Sequence, residues 1–367
     1  MPQRYPFYFK LCLVLLMLVL IGGILFIGQD ILLPLLFSIV FAILLVPVSN
    51  LMQRIGIPRV GAMLLTILLA LSFFGALVYF LSAQVASFLE DVPTIKKNLN
   101  AHINSLQKWV RQSFNISVRE QDKMVSEATG NLKDSGTGVL GNTVFTAASF
   151  LFTCILLPLY TFLIMFYKDL IKKFLLDVFD TSHKSKVQEV LSESRTIIQS
   201  YMVGLLIEMA IVTGLNAAGF FIIGIKYAIF LAVLSAILNM IPYIGMLIAS
   251  VICMVITLTT SNNLSDIIWV GAVLVFVQFL DNNIIMPYVV SSKVRINALV
   301  SILGVLIGGS IAGIGGMFLS IPGIAILKVI FDRVDDLKPW GMLMGDDYVK
   351  LKPRIHKRLG KKAPIKK

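Results

Sequence analysis

Two apolar runs of 33 residues each, 228–260 and 298–330, constrain this chain more than any other feature. As one straight helix such a run is about 50 Å long, beyond the ~30 Å hydrocarbon core of a bilayer; two crossings of about 20 residues plus a turn do not fit either. Both runs are interrupted near their middles. The first carries Asn239, Pro242, Tyr243 and Gly245, and the second packs Gly308, Gly309, Gly313, Gly315 and Gly316 into nine residues. Proline removes a backbone donor and glycine permits unusual dihedrals, so both runs predict a broken helix. Broken backbone at membrane depth survives only where protein or a water-filled cavity satisfies its polar groups.

Six further runs have the length of one crossing: roughly 11–28, 31–51, 60–85, 143–167, 200–223 and 266–289. Arg4 and Lys10 ahead of the first suggest a signal peptide, but no small-residue cleavage site follows, so the run counts as a span. With 57% hydrophobic and 14% charged residues and a mean hydropathy of +0.88, the chain lies far from the soluble average of about 25% charged. The net charge of +12 is therefore read by position, because basic residues collect on the cytoplasmic side of a membrane.

An N-terminus in the cytoplasm puts Arg54 and Arg59 inside and the segment 86–142, with seven basic and six acidic residues, outside. Segment 168–199, with Lys168, Lys172, Lys173, Lys184, Lys186 and Arg195 against five acids, returns inside. Lys293 and Arg295, and the tail from Arg333 with its eleven basic residues, are inside as well. The run 228–260 must then begin and end outside, and 298–330 begin and end inside. The expected fold is an all-α polytopic membrane protein with about six full transmembrane helices and two re-entrant helical hairpins. A shift of seventy positions aligns Ala228 with Ala298, Ile237 with Ile307, Ile241 with Ile311, Ile244 with Ile314, Gly245 with Gly315 and Ser250 with Ser320. Span plus hairpin is thus read as an inverted repeat, the recurring plan of secondary transporters. The expected divisions are N-terminal helices 1–85, an extracytoplasmic helical segment 86–142, a span with a cytoplasmic amphipathic segment 143–199, a transport core 200–331, and a basic cytoplasmic tail 332–367. Seven apolar positions from Phe88 to Val110 recur every three or four residues, which predicts an amphipathic helix.

Charge inside a span is costly and marks a pathway. Glu208 lies in 200–223 and Asp281 in 266–289, with Gln278, Asn282, Asn283 and Pro287 close by. Helical spacing places 278, 281 and 282 on one face, suited to a cation or a polar solute. The competing readings are amides that hold helices together and, for Glu208, a structural ion pair or a neutral buried acid. In the first hairpin Asn239, Pro242, Tyr243 and Gly245 open backbone and side-chain groups to a ligand, against a plain packing kink. Replacing Pro242 and Gly245 together by Ala is expected to favour a continuous helix, with stability little changed or raised. In the second hairpin the five glycines permit close backbone approach and present helix ends to cargo, against ordinary small-residue packing.

The motifs "NMIPYIG" at 239–245, "QFLDNNIIMPYVVSSKV" at 278–294 and "LGVLIGGSIAGIGGMFLSIP" at 303–322, in this order, resemble the autoinducer-2 exporter family of bacterial multi-pass proteins. The resemblance runs over essentially the whole chain. It implies a homo-oligomeric transporter in the bacterial cytoplasmic membrane that exports a small polar solute or signalling molecule. Members linked to sodium/proton exchange keep an antiporter open as an alternative, and a non-transporting scaffold or a channel is a further one. No GxxxxGK[ST] loop is present, so proton or sodium coupling is expected in place of an ATPase. Cys12, Cys154 and Cys253 lie in apolar runs, and His102, His183 and His356 lie outside them; no metal, cofactor or enzymatic chemistry is expected. The basic tail suits anionic membrane lipid, about 1 kcal/mol per residue near the surface, better than nucleic acid.

Overall fold

The computed structural model describes residues 6–114, 143–261, 263–290 and 296–346. Every regular element among them is helical. Five helices are long and apolar enough to cross a membrane: Gln29–Arg54, Arg59–Glu90, Lys184–Ile223, Leu264–Val289 and Ala298–Arg333. A sixth is added if Cys154–Phe166 and Lys168–Asp177, bent by 65°, form one span. Lys293, Arg295, most of the basic tail and the distal part of 86–142 lie outside the described residues.

The chain divides into two compact units. One comprises Met1–Leu33, Lys168–Val203 and Val290–Lys367; the other Pro34–Tyr167 and Gly204–Val289. In order, the helices are α1 (Phe7–Ile27), α2 (Gln29–Arg54), α3 (Arg59–Glu90), α4 (Val92–Phe114), α5 (Thr143–Phe166), α6 (Lys168–Asp177), α7 (Lys184–Ile223), α8 (Ala228–Asn239), α9 (Gly245–Thr260), α10 (Leu264–Leu280), a π turn (Asp281–Ile285), α11 (Met286–Val289), α12 (Ala298–Arg333) and α13 (Lys338–Met344). Segment 168–199 and span 200–223, read from sequence as separate, share the single helix α7, because no proline or glycine interrupts Lys184 to Val203.

In the unit containing Pro34–Tyr167, α2 keeps Pro34 and Pro47 inside its length. The Ser38 hydroxyl lies 2.7 Å from the Pro34 carbonyl and 3.0 Å from that of Leu157, so it ties α2 to α5. Arg59 donates from Nη2 to the Phe166 carbonyl at 2.9 Å, capping the C-terminal end of α5 where a cation is favoured. Ala42, Val46, Met63, Ile67 and Met165 form the core among α2, α3 and α5. The amphipathic stretch is helix α4, and its buried Asn98 donates to the Thr259 carbonyl at the end of α9. Where α3 gives way to α4, Asp91 accepts from Lys226 and from the Tyr227 hydroxyl.

The run 228–260 is broken as its sequence predicts. Helices α8 and α9 have 12 and 16 residues, each too short for a crossing. They lie antiparallel: Leu238 meets Gly245, and further along Cys253 Sγ meets the Leu231 carbonyl. Tyr243 takes a φ of 66° in the break, a conformation that costs a bulky residue roughly 1–2 kcal/mol.

In the other unit, α12 is interrupted at Ala312 and Gly313, the latter at φ 57°. The chain folds back there. A Cβ on Gly308 would meet the Gly316 carbonyl oxygen at 2.4 Å, and one on Gly304 would meet Ile324 at 2.0 Å. The two arms, 298–311 and 314–333, are therefore an antiparallel pair held by backbone contact. Asn297 caps the first arm by accepting from Val300 N, while its own backbone N–H donates to the Met344 carbonyl of α13 at 2.9 Å. Arg333 at the end of the second arm pairs with Glu189 and Glu193, one turn apart on α7. Ile197, Ala325 and Val329 pack beneath that contact.

Candidate functional site

Three of the polar residues singled out in the apolar spans come together in the unit that holds α8 and α9. Asn239, the last residue of α8, donates one hydrogen of its Nδ2 group to Asp281 Oδ2 at 3.0 Å and the other to Glu208 Oε1 at 3.3 Å. Asp281 is 2% exposed and Glu208 7%. Their remaining oxygens, Asp281 Oδ1 and Glu208 Oε2, are buried without a hydrogen-bond partner.

Each position has a local cause. Asn239 sits where α8 stops, because Pro242 cannot continue the helix and Gly245 comes hard against the Leu238 carbonyl. Asp281 opens the π turn, an arrangement with an extra residue per turn that re-aims side chains and recurs at functional positions. Glu208 extends from the middle of α7, with Val212, Ala236, Val277 and Ile285 forming an apolar cluster alongside. The C-terminal end of α8 adds partial negative charge to two carboxylates. A buried pair of like charges repels strongly in a low dielectric, so the cluster calls for a proton or a monovalent cation.

The other expected site residues are placed as follows. Gln278 donates to Asn282 Oδ1 at 3.0 Å, and Asn283 to the Phe279 carbonyl at 2.8 Å. Of the face expected for 278, 281 and 282, Gln278 and Asn282 are neighbours, while Asp281 is buried and Asn282, Asn283 and Pro287 are exposed. Pro242 and Tyr243 lie in the break after Asn239, with Tyr243 exposed. Gly308 and Gly316 form the close approach in the other unit; a Cβ on Gly309 would strike Met317, Gly313 supplies the positive φ, and Gly315 is half-buried.

Three residues not singled out from sequence line a small cavity beside Asn239. Asn216, 2% exposed, donates to Ser235 Oγ at 2.9 Å and leaves its Oδ1 buried without a partner. Ser250 and Gln278 complete the polar lining of a space of about 20 Å³. Such a volume admits one water-sized occupant. The available signal was spacing: Asn216 is eight residues from Glu208, and Ser235 four from Asn239, so each pair shares a helical face.

Comparison with known proteins points to transport. Residues 14–336 match the AI-2E family transporter profile. The chain is 24% identical over 306 residues to "Putative transport protein YrrI" of Bacillus subtilis (strain 168), covering 82% of this chain and 86% of that one. It is 25% identical over 355 residues to "Putative transport protein YhhT" of Escherichia coli (strain K12), covering 94% and 96%. It also resembles "Putative permease PerM" of Escherichia coli (strain K12), at 26% over 327 residues, covering 86% and 90%.

Proposed function

The chain belongs to the AI-2E family of transporters, and from that premise we propose that it is a secondary transporter whose coupling site is Glu208, Asn239 and Asp281. The observation that carries this reading is the pair of buried carboxylates bridged by one amide, each with an oxygen that no protein donor reaches. Gaining or losing one proton or one monovalent cation there changes the charge of the cluster, and that change is what a gradient can drive. In this reading the two antiparallel helix pairs are re-entrant in the bacterial inner membrane and form an inverted repeat. Both termini face the cytoplasm, and a small polar solute is the cargo.

The small size of the cavity beside Asn239 favours a second reading, cation/proton antiport without an organic solute. Proteoliposomes loaded with a pH-sensitive dye separate the possibilities. Sodium, lithium or potassium pulses are applied to the parent, Glu208→Gln and Asp281→Asn proteins. The amides keep size and remove charge, so cation-driven proton movement is expected to vanish in both variants while their melting in detergent is retained. Parent-level exchange in both variants excludes the carboxylates from coupling.

A further inference from the structure

Helix α6 has 10 residues, and none of them is buried. Its apolar side chains nonetheless gather on one side. Leu170, Phe174 and Val178, with Ile171 and Leu175 beside them, recur at the spacing of a single helical face. The Val178 N–H donates to the Phe174 carbonyl at 3.0 Å, which carries that face one residue past the helix. Leu170, Phe174 and Val178 are 61%, 63% and 60% exposed.

The other side is the one engaged with the chain itself. Leu176, which falls there, is half-buried, and Asp177 pairs with Lys184 of α7 at 2.8 Å. Lys168 and Lys172 border the apolar face, and Asp169 and Lys173 lie away from it. Chain continuity fixes the depth at which this face emerges. Only Tyr167 separates α6 from α5. Helix α5 has 24 residues, about 36 Å of rise, enough to cross the hydrocarbon core on its own. The chain therefore enters α6 at the edge of the bilayer, and the edge-to-face pair of Phe166 and Tyr167, 5.0 Å between ring centroids, stands at the end of the crossing, where aromatic rings collect. At that depth an outward-turned apolar face meets acyl chains, and lysine stems reach from its border to the head groups.

We propose that α6 lies in the plane of the membrane surface as an interfacial helix, with Leu170, Ile171, Phe174, Leu175 and Val178 among the upper acyl chains and Lys168 and Lys172 at the head groups. Its partner is bilayer lipid, not a second copy of the chain, and α6 is no part of a span. Lys168, Lys172 and Lys173 are nearly balanced by Asp169 and Asp177, so burial of the apolar face holds the helix there and an anionic head group is not required. In the orientation proposed above, the surface is that of the cytoplasmic leaflet. The inference uses no cargo and no coupling ion, so it stands apart from the transporter reading.

The test places an environment-sensitive fluorophore on single cysteines in the full-length chain lacking Cys12, Cys154 and Cys253. Leu170→Cys, Phe174→Cys and Val178→Cys report the apolar face, and Lys172→Cys and Lys173→Cys the polar side. The labelled proteins are held in phosphatidylcholine nanodiscs, where both bilayer surfaces meet the buffer, and quenched in turn by lipid with a nitroxide near the head group, by lipid with a nitroxide near the chain end, and by aqueous iodide. Labels at 170, 174 and 178 are expected to be quenched by the shallow nitroxide at least about twofold more than labels at 172 and 173, and iodide is expected to give the reverse order. Three reporters on one face keep the result readable where one variant loses the melting transition of the parent. Equal quenching by iodide at every position puts the helix in water and overturns the inference. Strongest quenching by the chain-end nitroxide at every position makes α6 part of a span and overturns it too. Protection of 170, 174 and 178 from all three quenchers sets the face against protein, a second copy of the chain, and likewise overturns it.

Discussion

Gly245→Ala tests the close packing that creates the break between α8 and α9. A Cβ built on Gly245 falls 1.7 Å from the Leu238 carbonyl oxygen and 2.6 Å from its carbon, where separations under 3.0 Å are essentially never seen. Both atoms are backbone, so no rotamer change relieves the overlap. The helices must part by more than an ångström, and a gap of about 0.5–1 Å already forfeits a quarter to a half of each facing contact. Overpacking of this kind costs roughly 1–3 kcal/mol. Helix propensity alone, applied to Pro242→Ala and Gly245→Ala together, predicts stability little changed or raised; the packing at Gly245 opposes that gain. Gly214→Ala is the matched control, since its Cβ meets nothing within 4 Å and alanine gains up to about 1 kcal/mol inside a helix. Melting of the purified proteins in detergent, at one scan rate, is expected to place Gly245→Ala below the parent and Gly214→Ala at or above it. If Gly245→Ala melts with or above the parent while the control behaves as stated, the glycine does not hold the break and this packing account fails.

Arg333→Ala removes the pairs with Glu189 and Glu193; these are solvent-facing, so a loss of about 0–1 kcal/mol per pair is expected, and the melting difference should shrink as salt is raised. The Lys226 ammonium first, and the Tyr227 hydroxyl second, hold the Asp91 carboxyl below its ordinary value of 3.8. A carboxylate depressed in the fold stabilises above its unfolded pKa and stops doing so as pH falls through the folded one; the melting gap between parent and Asp91→Asn is therefore expected to be full near neutral pH and to close only below 3.8. For sidedness, single cysteines at the exposed positions Asn100 and Ser182, in a background lacking Cys12, Cys154 and Cys253, are expected to react with an impermeant reagent from outside at 100 and to be protected at 182. The opposite pattern inverts the proposed orientation.

The parts of this fold that were legible in the sequence are those where the bilayer imposes a length rule. Runs of 33 residues had to be broken, and the breaks fall among the prolines and glycines that announced them. Glu208 and Asp281 stand out in the sequence because charge is rare in an apolar run, and Asn239 because it adjoins the break; the structure brings the three together. Asn216 and Ser235 passed unnoticed because neutral polar residues in spans are ordinary helix-packing material, and only a partner on another helix distinguishes them. The π turn at Asp281 has no local signature of its own, so the burial of Asp281 beside an exposed Asn282 was not legible from spacing. The close approach at Gly245 was not legible, because the atom it meets, the Leu238 carbonyl, is brought there by tertiary packing and not by propensity.

The contact between Arg59 and Phe166 has a history as well as a geometry. The two residues are 107 positions apart, so at about 5–20 residues per second the arginine leaves the ribosome roughly 5–20 s before its acceptor. Throughout that interval it cannot make this contact, and in the orientation proposed above its charge would hold the turn between α2 and α3 on the cytoplasmic side. Only when α5 arrives does the same guanidinium become the cap on that helix and lie near the Phe166 ring, 5.9 Å from its centroid. In that orientation one side chain would serve first as an address during biogenesis and afterwards as a fastener, and a lysine substituted there would keep the charge while losing the guanidinium that reaches the Phe166 carbonyl.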